Sequence, residues 1–323
     1  MKTNLKFLVI ALVAFTSFTS ISCSSDDDDS TPTVDNTISG IASRNADLSL
    51  LVKALTKASL VNTLKGTGPF TVFAPKNQAF IDAGYTAAVI DALPANDPGL
   101  TQILLNHVVS GAVQSTGLTN NSYIKTLAKG SASTTNTLSM YVTTTSGVKL
   151  NGMSTVTTAN VIASNGVVHI VDKVITLPTI ADHAIANPNF STLVSLLARP
   201  GQPDYATVLD ESGKYTVFAP VNSAFTALDA ELAPGGIASV SADDITKVLQ
   251  YHVVSGANVL SSTLTEGQVV TPILTPAQIF TVLLSGGPKL RDASTRNSNI
   301  ILTDVQCSNG VVHALGGVLL PTL

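Results

Sequence analysis

Asn165-Gly-Val-Val-His169 returns in the chain as Asn309-Gly-Val-Val-His313, and this repeated pentapeptide decides the fold. Two other pentapeptides repeat in the same order: Thr71-Val-Phe-Ala-Pro75 as Thr216-Val-Phe-Ala-Pro220, and His107-Val-Val-Ser-Gly111 as His252-Val-Val-Ser-Gly256. The offsets between copies are 144, 145 and 145 residues. Separate motifs kept in order at one spacing indicate a duplication, and a period of this length is that of a whole domain, not of a solenoid repeat.

The length of the chain agrees with two domains. It has 323 residues, which suggests two domains of roughly 150 residues each. The first copy ends near Leu177-Pro178-Thr179, where Pro178 stops a strand, and the second ends at the equivalent Leu320-Pro321. We therefore expect one domain over residues 36–178 and a second over residues 179–323.

Helical periodicity comes first in each copy. Leu48, Leu51, Val52 and Leu55 fall on one face of a helix, and the same spacing recurs from Phe190 onward. A short strand then runs over residues 70–74, and Pro75 can begin the short helix that follows. Further helices are predicted over residues 100–108 in copy one and 243–253 in copy two.

Strand-like patterns fill the second half of each copy. Alternating Thr, Ser, Val and Leu residues at 137–144 and 156–162 predict strands, and Asn151-Gly152 and Asn165-Gly166 predict tight turns beside them. Helices followed by strands indicate an α+β fold.

Composition excludes several classes of protein. Hydrophobic residues make up 45% and charged residues 12%, which is not a disordered composition. The formal net charge is −4 and no basic cluster follows Lys6, so a nucleic-acid partner is excluded. The two cysteines, Cys23 and Cys307, do not predict a disulfide framework, because Cys23 lies in an export signal.

The first 22 residues have the form of a secretory signal peptide. Lys2 and Lys6 precede the apolar run 7–15, which is followed by small residues up to Ser22. The run is much shorter than the ~20 residues that span a bilayer. Residues 20–23 resemble a lipobox, in which Cys23 becomes the lipidated first residue, although Ser20 stands where Leu is usual. The alternative is an ordinary signal peptide with a chance cysteine.

An acidic segment follows Cys23. Four adjacent aspartates, Asp26 to Asp29, repel one another and predict a solvated tether over residues 23–35. The run resembles the acidic signal that sends some Gram-negative lipoproteins to the outer face of the outer membrane. A calcium loop is disfavoured because the spaced ligands and the glycine are missing. We expect an exported protein, held by a lipid anchor alone at the outer membrane and exposed at the surface.

The three repeated motifs resemble the conserved segments of the fasciclin domain family, over essentially residues 36–323. The resemblance implies two tandem domains, each a wedge or sandwich of short β-strands flanked by helices. The resemblance also implies the usual role of the family, which is adhesion between cell and matrix or between cells.

The resemblance also implies candidate binding residues in copy two. Tyr251-His252 matches the family's Tyr-His motif, whereas copy one has Asn106-His107. Asp304-Val305 lies where animal members carry an Asp-Ile pair that contributes to integrin binding, whereas copy one has Asn160-Val161. The expected binding face therefore comprises Tyr251, His252, Asp304 and Val305, although a bacterial protein need not bind integrin.

No pattern indicates catalysis. The histidines of the repeated motifs, His107, His169, His252 and His313, are expected to be structural, with a ring nitrogen bonded to a carbonyl. No two histidines have the spacing of metal ligands, and Gly-x-Ser-x-Gly is absent. We expect no enzyme activity, no cofactor and no metal.

Two functions remain from the sequence. The first is a surface adhesion or interaction lipoprotein whose partner is an extracellular matrix-like protein, a glycan or another envelope protein. Two domains on one tether would raise its avidity. The alternative is a glycan- or small-ligand-binding accessory lipoprotein of the outer membrane, in uptake or biofilm, which a well-formed pocket would favour.

Overall fold

The structure, a computed structural model, describes residues 34–205, 209 and 213–323, of which those from Asp35 onward belong to one compact unit. The signal peptide, Cys23 and the aspartate run of the sequence analysis lie outside the described residues. None of the helices that the structure describes is long and apolar enough to cross a bilayer.

Seven strands are described in each copy. Those of copy one are β1 (Phe70–Pro75), β2 (Val108–Ser110), β3 (Ser122–Gly130), β4 (Ser133–Thr143), β5 (Lys149–Leu150), β6 (Ser154–Ala163) and β7 (Gly166–Val171). Those of copy two are β8 (Tyr215–Pro220), β9 (Val253–Ser255), β10 (Val269–Val270), β11 (Phe280–Leu283), β12 (Lys289–Arg291), β13 (Asn297–Cys307) and β14 (Gly310–Leu315).

The described helices precede most of the strands in both copies. In copy one they are Ile38–Arg44, Ser49–Lys57, Val61–Lys65, Asn77–Asp82, Ala87–Ala92 and Pro98–Asn106. In copy two they are Ile180–Ala186, Ser191–Leu197, Asn222–Glu231 and Ala242–Tyr251. Helices and sheet pack as an α+β fold, as the sequence predicts.

Both copies use one strand order. In copy one, β1 pairs antiparallel with β2 and parallel with β7, while the remaining strands follow antiparallel in sequence order. A β2–β3 pair, Val109 with Thr126, closes this sheet into a barrel. Copy two has the equivalent order β10-β11-β12-β13-β14-β8-β9, and its sheet is open between β9 and β10.

The repeated pentapeptides meet at the centre of each sheet. Phe73 of β1 pairs with His169 of β7 and the two rings stack, with centroids 5.4 Å apart. Thr71 Oγ1 donates to the Gly111 carbonyl (2.6 Å), just beyond β2. Phe218 and His313 repeat the stacked pair in copy two, also at 5.4 Å. The motifs recur together because each supplies one strand of the same three-stranded centre.

Asparagine and glycine of the closing motif join the sheet to the helices. Asn165 Oδ1 accepts from the Ile38 amide (2.9 Å), and its Nδ2 donates to the Leu64 carbonyl (2.8 Å). Gly166 lies so close to β1 that a Cβ atom would be 1.9 Å from the Phe70 carbonyl oxygen. The tight turn expected at Asn165-Gly166 is therefore also a site of close strand packing.

The structure differs from the sequence predictions at element ends. Pro75 is the last residue of β1, opposite Val171, and the next helix begins at Asn77, so Pro75 does not occupy a first helical turn. The helices predicted to end at residues 108 and 253 end at Asn106 and Tyr251. Both stop early because β2 and β9 need residues 108–110 and 253–255 in extended form.

Candidate functional site

Tyr251, the first predicted binding residue, lies inside copy two and has no exposed side-chain surface. Its hydroxyl donates to the Ile279 carbonyl (2.5 Å) and accepts from the Ala293 amide (3.1 Å). Its ring contacts Phe280 edge to face, with centroids 5.6 Å apart. Tyr251 thus joins the end of its helix to two loops of the open sheet.

His252, the C-cap of the same helix, is also buried. Its Nδ1 lies 2.7 Å from the Val248 carbonyl, and its Nε2 accepts from the Leu319 amide (3.0 Å). The proton therefore belongs on Nδ1, and burial lowers the pKa of the ring to about 4. His107 makes the equivalent bonds to Ile103 and Ile175 in copy one. This geometry is the structural role expected from the sequence.

Asp304 occupies a strained position in β13, within the irregularity of the β13–β14 pairing between Leu302 and Val305. Its φ is 60°, in the left-handed region, and its Oδ1 accepts from the Ser261 amide (2.8 Å). The Ser261 hydroxyl donates to the other carboxylate oxygen. Asn160 of copy one has φ 62° and accepts from the Ser115 amide (2.8 Å). Asp304 and Asn160 thus play the same local role.

Val305 is 2% exposed and packs in the core of copy two. Three of the four predicted binding residues, Tyr251, His252 and Val305, are therefore core residues, and the expectation that all four form a binding face is corrected in this respect. Their side chains stabilise the fold, because the family motifs lie where helix, loop and sheet meet. That this region of copy two binds a partner stays a prediction.

An accessible apolar surface lies beside Asp304. Ile301 and Leu302 precede it in β13 and are 56% and 37% exposed. Consecutive strand residues normally face opposite sides, but a register shift between Ile300 and Leu302 leaves both in contact with solvent. Their positional equivalents in copy one, Thr157 and Thr158, are exposed and polar. The two copies therefore differ in surface chemistry at this place.

The two copies contact each other through β3 and β4 of copy one and β13 of copy two. The Gln306 amide donates to Ser139 Oγ (3.0 Å), and Lys125 Nζ donates to the Asp304 carbonyl (2.8 Å). At the end of β3 the Ala132 amide donates to the carbonyl of Ser308 (2.9 Å). These bonds involve both backbone and side-chain atoms, and the one between Gln306 and Ser139 is buried.

A cavity of about 270 Å³ lies in the helical layer of copy two. Its wall is mostly apolar and includes two buried polar side chains, His183 and Tyr205, which the sequence analysis did not single out. Comparison of the copies held a signal, because His183 occupies the position of Ile41 in an otherwise similar first helix. A histidine in copy two where copy one has an apolar residue indicates a polar group in the core of the second domain.

Within residues 34–205, 209 and 213–323, no group of three or more His, Cys, Asp or Glu residues is arranged to hold a metal ion. Cys307 is a fully buried free thiol, and burial raises its pKa well above the ordinary value. It fills the position of Ala163 in copy one. Its environment is therefore that of a small core residue.

Comparison with known families places a match on each copy. The model of the fasciclin domain matches residues 46–178 and again residues 188–321. The two matches together cover most of the chain and coincide with the two sheets.

Several known proteins are similar to this chain in sequence. Protein sll1483 of Synechocystis is 40% identical over 147 residues, which are 45% of this chain and 74% of that protein. Transforming growth factor-beta-induced protein ig-h3 of Sus scrofa is 31% identical over 80% of this chain, and human periostin is 26% identical over 85%. The aligned segments span only 35% and 30% of those two proteins.

A solved FAS1 domain pair, from the insect cell adhesion molecule fasciclin I, is 17% identical to this chain with a TM-score of 0.49. The match covers 84% of this chain and 95% of that one.

Proposed function

Because the chain belongs to the fasciclin domain family, we propose that it is a cell-surface adhesion or interaction protein. The single observation that supports this most is the pair of fasciclin domains over residues 46–178 and 188–321. The proposal assigns the chain no catalytic step and no cofactor. Its binding energy comes from contacts spread over an exposed surface that is centred on copy two.

The proposal includes export and a lipid anchor on Cys23. The signal-like residues 1–22, the lipobox-like residues 20–23 and the four aspartates that follow support an outer-membrane lipoprotein exposed at the surface. Labelling cells with a palmitate analogue tests the anchor. The label is expected on the native protein and not on Cys23→Ala. Equal labelling of both would contradict lipidation at this residue.

The proposed contact surface is the exposed part of β13 in copy two, around Ile301, Leu302 and Asp304. Neighbouring exposed apolar side chains beside polar ones are typical of interaction patches. The burial of Tyr251 and His252 leaves these residues as the accessible part of the region that the family motifs indicate. The partner is an extracellular matrix-like protein, a glycan or another protein of the envelope.

Binding of the purified chain to an array of matrix proteins and glycans tests this function. The double variant Ile301→Ser, Leu302→Ser is expected to weaken binding at least tenfold. The matched control is Thr157→Ser, Thr158→Ser in copy one, which alters the equivalent exposed positions. If neither variant loses binding, the contact surface lies elsewhere on the chain. If the native chain binds nothing on the array, adhesion to these partners is contradicted.

The alternative of a ligand-binding accessory lipoprotein has one observation in its favour, the cavity of copy two. A cavity is compatible with an adhesive surface because the two lie on different parts of the domain: β13 carries the surface, and the first helices enclose most of the cavity. An accessory role predicts a small molecule as the ligand, whereas adhesion predicts a macromolecule.

A further inference from the structure

The cavity of copy two is enclosed by helices on one side and the central sheet on the other. The helices Ile180–Ala186 and Ser191–Leu197 cover strand β8, and the helix Ala242–Tyr251 contributes a side wall. Apolar side chains form most of the lining: Ile180, Phe190, Leu193, Leu197, Val217 and Leu249. Ile185 and Asp204, both exposed, lie at the rim, so the cavity reaches the surface there.

Two side chains in this lining carry polar atoms without a hydrogen-bond partner in the protein. Neither the ring nitrogens of His183 nor the hydroxyl of Tyr205 make a well-formed hydrogen bond to a described residue, although the residues are only 1% and 6% exposed. A backbone group of Ser139 lies beside the His183 ring and opposes the lowering of its pKa. Buried polar atoms are nearly always hydrogen-bonded, because an unpaired one costs free energy. The other lining histidine, His252, has both nitrogens paired, so the unpaired state is particular to His183 and Tyr205.

The chemistry of these groups defines what they could bind. Burial lowers the pKa of His183 to about 4 and raises that of Tyr205 to about 12, so both are neutral near pH 7. A neutral imidazole offers one donor and one acceptor, and a phenol offers both functions. Among the lining residues that the structure describes, none is Lys or Arg, and the carboxylate of Asp204 lies at the rim, so an anion would find no opposite charge there.

We infer that this cavity is a binding site for a small, neutral and mostly apolar molecule that carries a hydroxyl or similar hydrogen-bonding group. The apolar body would lie against the helices and β8, and the polar group would meet His183 and Tyr205. A cavity of about 150 Å³ holds benzene. Benzene has six non-hydrogen atoms, so by proportion about 270 Å³ suits a molecule of about eleven non-hydrogen atoms. The site is independent of the proposed adhesive surface.

Fluorescence titration of the purified chain with 1-naphthol tests the inference, because this probe is neutral, fits the volume and carries one hydroxyl. We expect saturable binding at one site. The anion 1-naphthoate has the same ring system and is expected to bind at least tenfold more weakly at pH 7. Equal binding of the two probes would overturn the selection for a neutral ligand, and no saturable binding of 1-naphthol would overturn the site.

Substitutions locate the binding. His183→Leu and Tyr205→Phe each remove the polar atoms and keep an apolar wall, so each is expected to weaken 1-naphthol binding roughly fivefold, which is the loss of one hydrogen bond. Ala184→Phe places a ring among the lining residues and is expected to abolish binding. Tyr85→Phe, in copy one, is the matched control and should leave it unchanged.

Thermal unfolding of each variant shows that it is folded before its affinity is interpreted. If Ala184→Phe does not fold, the two polar variants still test the site. Affinity equal to that of the native chain in both His183→Leu and Tyr205→Phe would overturn the assignment of the polar contacts.

Discussion

Single residues of the repeated motifs are more structural than their family resemblance implied. Tyr251 and His252 are buried, and their hydrogen bonds to the Ile279 and Val248 carbonyls fix the end of their helix. The sequence did predict the histidine role, because a His that ends an apolar helix can bond the carbonyl four residues before it. The exposure of Tyr251 and His252 was not predictable, because a single sequence does not distinguish a motif residue that binds a partner from one that packs in the core.

His183 gives a pH-dependent stability. Its pKa is about 4 in the folded chain against an ordinary value of 6.5, so between these values the unfolded chain binds a proton that the folded chain excludes. This contribution is fully present above pH 6.5 and is lost as pH falls towards 4. The loss at pH 5 is about 2 kcal/mol at 1.36 kcal/mol per pKa unit.

His183→Leu removes this titration and keeps an apolar side chain at this buried position. Its free energy of unfolding, measured in urea at pH 7 and pH 5, is therefore expected to fall by about 2 kcal/mol less than that of the native chain. Tyr85→Phe serves as the control and should keep the native pH dependence. An identical pH dependence in His183→Leu would show that the folded imidazole is protonated without cost.

Asp304 is predicted to be replaceable by Asn and not by Ala. Asn160 makes the same bond to a serine amide at the same positive φ in copy one, so Asp304→Asn should change stability by less than about 1 kcal/mol. Asp304→Ala loses the bond to Ser261 and places at φ 60° an alanine, which tolerates this conformation less well than Asp or Asn, and the two effects together should cost about 2–3 kcal/mol. Urea unfolding measures both, and equal losses would contradict the shared role.

At the scale of elements, the sequence predicted which segments are helices and strands better than it predicted where those elements begin and end. The fold class and the order of helices and strands follow from periodicity, because a 3.6-residue period and a two-residue alternation are local signals. The position of Pro75 could not be read locally, since its place in β1 depends on pairing with β7, whose residues lie 96 positions later at Val171. Barrel closure in copy one likewise depends on a long-range pair between β2 and β3.

The parallel pairing of β8 with β14 explains the glycine of the closing motif. A Cβ atom on Gly310 would lie 2.2 Å from the Tyr215 carbonyl oxygen and 2.9 Å from Ile180 Cδ1. Gly310→Ala must therefore move strand and helix apart, and we expect a loss of about 3 kcal/mol or more in the free energy of unfolding. The control is Gly117→Ala, where the nearest atom to the new Cβ is 3.4 Å away. Similar small losses in both variants would contradict this packing argument.

At the scale of the whole molecule, duplication was visible in the sequence and the contact between the copies was not. Tyr123 of β3 accepts a hydrogen bond from Asn187 Nδ2 (3.0 Å) and its ring meets that of His183 edge to face. No repeated motif marks these residues, because a contact that occurs once between two copies leaves no internal repeat. The cavity of copy two left only one trace in the sequence, His183 in the place of Ile41.

The contact between copies depends on a close approach at Gly130, the last residue of β3. A Cβ atom there would lie 2.4 Å from Ser308 Cα and 2.5 Å from the Ser308 carbonyl oxygen, both backbone atoms of copy two. The same carbonyl accepts from the Ala132 amide (2.9 Å) and the Ser131 hydroxyl (3.0 Å). Gly130→Ala therefore acts on the junction and leaves the core of each domain intact.

Gly130→Ala is expected to separate the copies locally, with each domain still folded. Hydrogen exchange at the Ala132 amide should accelerate at least tenfold, because its bond to Ser308 is lost, while the core amides of β1 and β8 keep their protection. Small-angle scattering should show a larger radius of gyration than in the native chain. Lys129→Ala, an exposed neighbour, is the matched control. Unchanged exchange and scattering in Gly130→Ala would mean that the junction yields without opening, and that the pair tolerates movement at this contact.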